Sequence, residues 1–192
     1  MNQKNKPSRE EAEEAIRTII SYIGDDPTRS SLIDTPARVV SSYEEFFAGY
    51  GREPENAELR TFDLPVGFNN IIQLNNIRLE SYCEHHIAPI IGLVHIAYEP
   101  SDCILGLSKL ARIVDLHAKR LQIQERLVLE IAQTIEKMAS PRGVAVVIDA
   151  EHHCLTTRGA CKPGTLMRTV HYTGTFAEHE KRKEFLDSII RS

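Results

Sequence analysis

Apolar residues recur at helical spacing in several stretches of the chain and alternate with polar residues in others. Near the N-terminus a capping box of Ser8 and Glu11 precedes apolar residues three and four positions apart, which predicts a helix over residues 8–23. The segment DTP at residues 34–36 is a second helix start, since proline suits the first helical position. The apolar positions behind it predict a helix over residues 36–48.

The rest of the pattern predicts two strand pairs with two helices between them. A polar, proline-containing connection should lead into two strands that are separated by the segment SYCEHHIAPIIG. Two helices, two more strands and a charged C-terminal helix should follow, giving the order ααββααββα. We therefore predict an α+β fold with an antiparallel sheet and the middle helices packed on one face. The expected strands cover residues 72–79, 93–98, 144–149 and 166–173, and the expected middle helices cover residues 110–121 and 127–138.

Composition narrows the class of protein. The chain has 192 residues, of which 42% are hydrophobic, enough for one sizeable core. Its 23 basic and 27 acidic side chains give a net charge of −4, which argues against a general nucleic-acid binder. There is no apolar run of the ~20 residues that a membrane span needs, and the polar N-terminus lacks a signal-peptide core. We expect a cytoplasmic protein with reduced cysteines, for which metal binding or catalysis is a better interpretation than disulfides.

Two short clusters combine cysteine and histidine, CEHH at residues 83–86 and EHHC at residues 151–154. Thiolate and imidazole are the ligands that zinc prefers. Spacing leaves the ligand set open, because a strand would put Cys83 and His85 on one face whereas a turn would bring Cys83 to His86. Four protein ligands would make a structural site, and three would leave a position for water. Cys103 and Cys161 have no histidine neighbour and are expected to be ordinary thiols.

Further polar clusters suggest a phosphorylated ligand. Ser108, Lys109 and Arg112 open a helix, where exposed amides and cations favour an anion. Arg38 opens another helix and Arg158 follows Cys154 closely, so several cations suit a polyphosphate. In LQIQERL, Gln124 and Glu125 stand side by side, and a carboxylate can accept two hydrogen bonds from a guanine ring.

Three segments together resemble the signature regions of the GTP cyclohydrolase I family. They are SYCEHHIAPIIGLVHIAYEP, GLSKLARIVDLHAKRLQIQERL and AEHHCLTTRGACKPG, and TPARV lies upstream, so the resemblance runs from about Thr35 to Gly164. It implies a tunnelling fold in residues 51–192 behind an N-terminal helical region in residues 1–50. It also implies a toroidal homodecamer with active sites where subunits meet.

The resemblance also implies the reaction and its residues. A zinc ion would be held by Cys83, His86 and Cys154, and GTP would become 7,8-dihydroneopterin triphosphate with loss of formate, the first step of tetrahydrofolate and pterin biosynthesis. His152 would act as the general acid, with His85 and Ser108 in later proton transfers. Substrate contacts would fall on Arg38, Ser108, Lys109, Arg112, Gln124, Glu125 and Arg158.

Two other hypotheses fit the same residues. A tunnelling-fold relative could act on another purine or pterin, and a non-catalytic module could be held together by a zinc ion with four protein ligands. The chain also departs from the family pattern at Ser41, at His153, at Cys161 and in the strand region 165–176.

Overall fold

The computed structural model describes residues 6–52 and 61–190. Much of the polar connection predicted before the sheet falls at residues 53–60, outside the described residues, as do the first five and last two residues of the chain. The described residues form two compact units, one ending at Ala48 and one beginning at Gly49.

The first unit consists of helix α1 (Arg9–Tyr22) and helix α2 (Thr35–Phe46). The predicted capping box is present, since the Glu11 amide donates to Ser8 Oγ and the Ser8 amide donates to the Glu11 carboxylate. Arg9 connects the two helices by donating to Glu44 and to the Ser41 hydroxyl. Both predicted helices are confirmed, with ends shifted by one or two residues.

The second unit contains seven described strands. They are β1 (Thr61–Asp63), β2 (Ile72–Cys83), β3 (Pro89–Glu99), β4 (Cys103–Leu105), β5 (Leu121–Gln122), β6 (Gly143–His152) and β7 (Leu166–Tyr172). Five of them form one sheet in the order β5-β2-β3-β6-β7. Its four long strands are antiparallel neighbours, and the two-residue strand β5 runs parallel to β2 at one edge. A separate ribbon pairs β1 with β4.

Helices α3 (Leu107–Ala118) and α4 (Gln124–Ala139) lie between the strand pairs in sequence and cover one face of the sheet. Their apolar residues form the main core with the inward side chains of β2, β3 and β6. A 3-10 turn (Gly174–Ala177) and helix α6 (His179–Ile190) cover part of the other face through Phe176 and Phe185. The predicted α+β class is confirmed, and this arrangement is the one expected of a tunnelling fold. No helix in residues 6–52 or 61–190 has the length and apolar character to cross a membrane.

Strand pairing defines two opposite ends of the sheet. At the first, which we call the Cys83 end, β2 finishes, β3 starts and β6 finishes, with Ile90 paired to His152. At the second, the Glu99 end, Glu99 of β3 pairs with Gly143 of β6. Helix α3 starts near the Glu99 end, because the amide of Leu105, two residues before it, donates to the Tyr98 hydroxyl.

Candidate active site

The turn between β2 and β3 brings two of the predicted metal ligands together. Cys83 ends β2, and its amide donates to the Ala88 carbonyl across the turn. The amides of His86 and Ile87 both donate back to the Cys83 carbonyl, and Ile87 takes a left-handed backbone with φ of 51°. Because the chain turns here, His86 folds back towards Cys83, with its Nδ1 3.7 Å from Sγ.

Cys154 completes a group that can hold a metal ion. It lies in the short helix α5 (His153–Thr156), directly after β6. The ligand atoms of Cys83, His86 and Cys154 all lie within 4.8 Å of one another. Burial raises the pKa of the Cys154 thiol, and the neighbouring Cys83 raises it further. Two adjacent thiols resist losing both protons unless a cation is present, so this donor set fits a zinc ion.

Two further side chains, His85 and Arg158, lie beside this group. His85 is exposed, with Nδ1 3.9 Å from Cys83 Sγ and Nε2 3.8 Å from the Glu84 carboxylate. Arg158 lies in the loop after α5, and its Nη1 is 3.1 Å from His86 Nε2. The Arg158 charge also favours the thiolate of Cys154, against the larger effect of burial. His153 is not part of the three-residue group found among the described residues.

His152 lies at the Cys83 end, one strand across from the turn. It is the last residue of β6 and half-buried, with Nε2 2.8 Å from Oε1 of Gln124. Burial lowers the pKa of His152, and the negative charge of Glu125 partly offsets that shift. Glu125 is exposed in the first turn of α4, so its carboxylate is accessible to a ligand.

Gln124, in contrast, has no exposed surface. Its amide nitrogen lies within 3.1 Å of three acceptors, the carbonyls of Ile148 and Met167 and the hydroxyl of Thr169. Its side chain is therefore held inside the protein, and the contact of Gln124 with substrate stays a prediction.

The predicted anion-binding residues lie elsewhere in the chain. Ser108, Lys109 and Arg112 lie in the first turns of α3, near the Glu99 end. Helix α3 has 12 residues and is about 18 Å long, and it leads to β5, which pairs with β2 at the Cys83 end. The first turns of α3 therefore lie far from the Cys83 end of their own sheet. Arg38 is exposed near the start of α2, in the first unit. Of the predicted cations in the second unit, Arg158 is the one found beside the metal group.

Two residues that no sequence pattern predicted, Arg126 and Gln122, support the site. Arg126 of α4 donates to Glu84, the residue after Cys83, and also to the side-chain oxygen of Gln122. Gln122 in turn donates to Glu130. Arg126 and Glu130 lie four residues apart on one face of α4, whereas Gln122 belongs to strand β5, so helical spacing alone could not identify this group.

The chain matches one protein family along nearly its whole length. Residues 12–190 match the family model described as GTP cyclohydrolase I. The chain is 50% identical over 184 residues to GTP cyclohydrolase 1 of Rickettsia akari (strain Hartford), which covers 95% of this chain and 97% of that protein. It is 49% identical over 179 residues to GTP cyclohydrolase 1 of Maricaulis maris (strain MCS10), with coverages of 93% and 87%.

Among solved structures, an archaeosine synthase QueF-like protein in its apo form matches 54% of this chain and 93% of its own, with 19% identity and a TM-score of 0.46. Both sequence alignments cover most of this chain and most of the related protein. The chain therefore belongs to the GTP cyclohydrolase I family.

Proposed function

We propose that this protein opens the guanine ring of GTP, releases formate and forms 7,8-dihydroneopterin triphosphate, the first step of tetrahydrofolate and pterin biosynthesis. The observation that carries the proposal is the grouping of Cys83, His86 and Cys154 at the same end of the sheet as His152. In a member of this family, three metal ligands and the neighbouring His152 imidazole suit hydrolysis at C8 of guanine, the carbon between N7 and N9. Overall, GTP and one water give formate and the pterin triphosphate.

Zinc is the metal we assign to the group, with Cys83, His86 and Cys154 as its ligands. Two sulfurs and one imidazole nitrogen favour zinc over the hard cations that prefer oxygen. When bound, zinc would supply Lewis acidity that makes water nucleophilic near neutral pH. The paired thiols need a reducing compartment, which supports a cytoplasmic location.

Proton transfers are assigned to the imidazoles around this group. His152 would protonate N7 of guanine as the bond between C8 and N7 breaks, since its ring lies at the same end of the sheet as the metal group. His85, exposed beside the same turn, and Ser108 would serve the later proton transfers in which the ribose opens, rearranges and closes onto the released amines.

Substrate binding is assigned to the exposed charges. The Glu125 carboxylate would accept hydrogen bonds from the guanine ring N–H and amino group. Arg158 would bind the triphosphate next to the metal group, and Arg38, Ser108, Lys109 and Arg112 would supply the remaining phosphate contacts.

The separation of these residues supports an oligomer. Within one chain, Ser108, Lys109 and Arg112 lie near the Glu99 end, whereas the metal group and His152 lie at the Cys83 end. A GTP bound between two subunits would contact one set from each chain. We propose a homo-oligomer with active sites at the subunit interfaces, and a decameric toroid is the assembly that the family resemblance implies.

The decisive test is incubation of the purified, zinc-loaded protein with GTP. We expect formate in equal amount to a pterin that becomes fluorescent after oxidation, and loss of both products when a chelator removes the metal. ATP is the matched control substrate, because adenine lacks the ring N–H and amino group that Glu125 would bind. Absence of formate with GTP from fully metal-loaded oligomer would overturn the proposal.

A further inference from the structure

The amide of Gln124 is held in one orientation by its surroundings. Its nitrogen lies 3.0 Å from the Ile148 carbonyl and 3.0 Å from the Met167 carbonyl, with the Thr169 hydroxyl at 3.1 Å. Main-chain carbonyls can only accept hydrogen bonds, so the NH2 group must face them. A flipped amide would place its oxygen against two carbonyl oxygens in a side chain without exposed surface.

This orientation determines the role of the other amide atom. The Gln124 oxygen must face His152, 2.8 Å from its Nε2. A carbonyl oxygen cannot donate, so Nε2 of His152 must carry the proton in this hydrogen bond. Nδ1 then remains as the nitrogen that can exchange a proton with a bound substrate.

We infer that Gln124 is a positioning residue that keeps a proton on Nε2 of His152, so that Nδ1 is the nitrogen that takes up a proton from the attacking water and passes it to the substrate. The inference rests on the function proposed above and gives the Gln124 side chain a role besides the predicted contact with substrate. Glu125, the next residue, is exposed and keeps its proposed role in binding the base. Two adjacent residues of α4 thus serve different steps, Gln124 the chemistry and Glu125 the binding.

The arrangement is rigid because three elements meet at Gln124. Gln124 is the first residue of α4, Ile148 belongs to β6, and Met167 and Thr169 belong to β7. Ile148 pairs with Thr169 and Ala150 pairs with Met167 along one side of β6. The last residue of β6, His152, pairs with Ile90 of β3 on the other side. The ring is consequently aligned by the sheet and the helix together rather than by a mobile loop.

The test compares three variants of the zinc-loaded protein. Gln124→Met keeps the length of the side chain and removes both the donor and the acceptor. We expect its kcat for formate release to fall about 100-fold, within the range for general acid–base catalysis, with the dissociation constant for GTP changed less than about 3-fold. Glu125→Gln should instead weaken GTP binding by at least about 10-fold.

Thr169→Val is the matched control for packing around the amide. It removes one acceptor and leaves the two carbonyls that orient Gln124, so kcat should stay within about 3-fold of the wild type. Metal content and the unfolding midpoint of each variant establish that the fold is intact. An equal loss of GTP affinity and kcat in Gln124→Met would overturn the inference.

A spectroscopic readout separates this inference from the proposed function. Histidine labelled with ¹⁵N reports which ring nitrogen carries the proton, and subtraction of a His152→Ala spectrum assigns the signal. We expect the neutral His152 ring to carry its proton on Nε2 in the wild type and to lose that preference in Gln124→Met. A wild-type proton on Nδ1 would overturn the inference, whereas an inactive wild type with the Nε2 proton would overturn the proposed function alone.

Discussion

The guanidinium of Arg126 donates to the carboxylate of Glu84 at 2.5 Å and so connects helix α4 to the metal-binding turn. The same side chain donates to Gln122 and to the Leu121 carbonyl, both in strand β5. The hydrogen bond from Arg126 holds the pKa of Glu84 below its usual range. Because Glu84 follows Cys83 directly, Arg126 fixes the backbone that positions two of the three ligands.

Removal of this connection should weaken metal binding. In Arg126→Met we expect the zinc affinity to fall about 10-fold, the lower end of the cost of losing a residue that supports a ligand, because Arg126 contacts Glu84 rather than a ligand itself. Competition with a chromophoric chelator measures the affinity directly. Arg78→Met is the control, since Arg78 pairs with Glu80 on the surface of β2 and is 77% exposed. Equal affinities in the two variants would show that the turn holds its shape without Arg126.

The cysteines should differ sharply in their importance. Cys154→Ser should lose both bound zinc and formate release, because a serine hydroxyl is a poor ligand in place of a thiolate. Cys161→Ser should keep both, since Cys161 is exposed and lies outside the three-residue group. Metal content by elemental analysis, measured beside activity, decides the point. A fully loaded and active Cys154→Ser protein would remove Cys154 from the ligand set.

The two ends of the sheet allow a complementation experiment. Arg112→Ala and His152→Ala should each be inactive alone, since each lacks one part of the proposed site. When the two variants are dissociated and reassembled together in equal amounts, about a quarter of the interfaces should join two intact parts and recover activity. Reassembly of each variant alone is the control. A mixture as inactive as its components would place both parts of the site in one subunit.

Stability should fall in mild acid because of His95. This ring is buried in β3 and accepts a weak hydrogen bond from the Asn76 amide at 3.4 Å. Burial lowers the pKa of His95, and Arg168 lowers it further against the opposing effect of Asp149. Below about pH 6.5, His95 is protonated in the unfolded chain more readily than in the folded chain. The free energy of unfolding therefore decreases as the pH falls.

The size of that effect is limited to one proton. We expect His95 to contribute a slope of at most about 1.4 kcal/mol per pH unit below pH 6.5. Urea unfolding at pH 7.5 and pH 5.5 measures it, and His95→Gln should show a smaller loss between the two values than the wild type. An unchanged pH dependence in His95→Gln would assign the acid sensitivity to other groups.

The sequence predicted the elements whose signals are local. The capping box of Ser8 and Glu11 located α1, and the helical apolar spacing located α3 and α4, because these patterns repeat within a few residues. Strand β2 extends beyond its predicted limit through the segment ESYC to Cys83, where polar residues obscure the pattern. Strand β3 begins earlier than predicted, at Pro89, because its first residues, PIIG, do not alternate between polar and apolar. The short strands β1, β4 and β5 were not predicted, because two or three residues carry too little pattern.

Parts of the candidate site were beyond sequence reasoning for a different reason. The choice between His85 and His86 depends on the turn after Cys83, which spacing alone left open. The partners of Gln124 are largely main-chain carbonyls, whose positions depend on strand register rather than on residue type. The separation of Ser108 from the metal group depends on the direction of α3 relative to β2, a topological fact without a local signature.

The short pairing of β5 with the end of β2 has a consequence for folding. This pairing joins Cys83 to Gln122. The turn that carries Cys83 and His86 also contacts Cys154 and Arg158, which follow β6 in the chain. These contacts join residues far apart in sequence. Forming each of them closes a long loop at a large cost in chain entropy, so such contacts tend to form late in folding. We therefore expect the chain to acquire its metal affinity after most of the sheet has formed, so that zinc uptake during refolding follows a late stage of folding rather than initiating it.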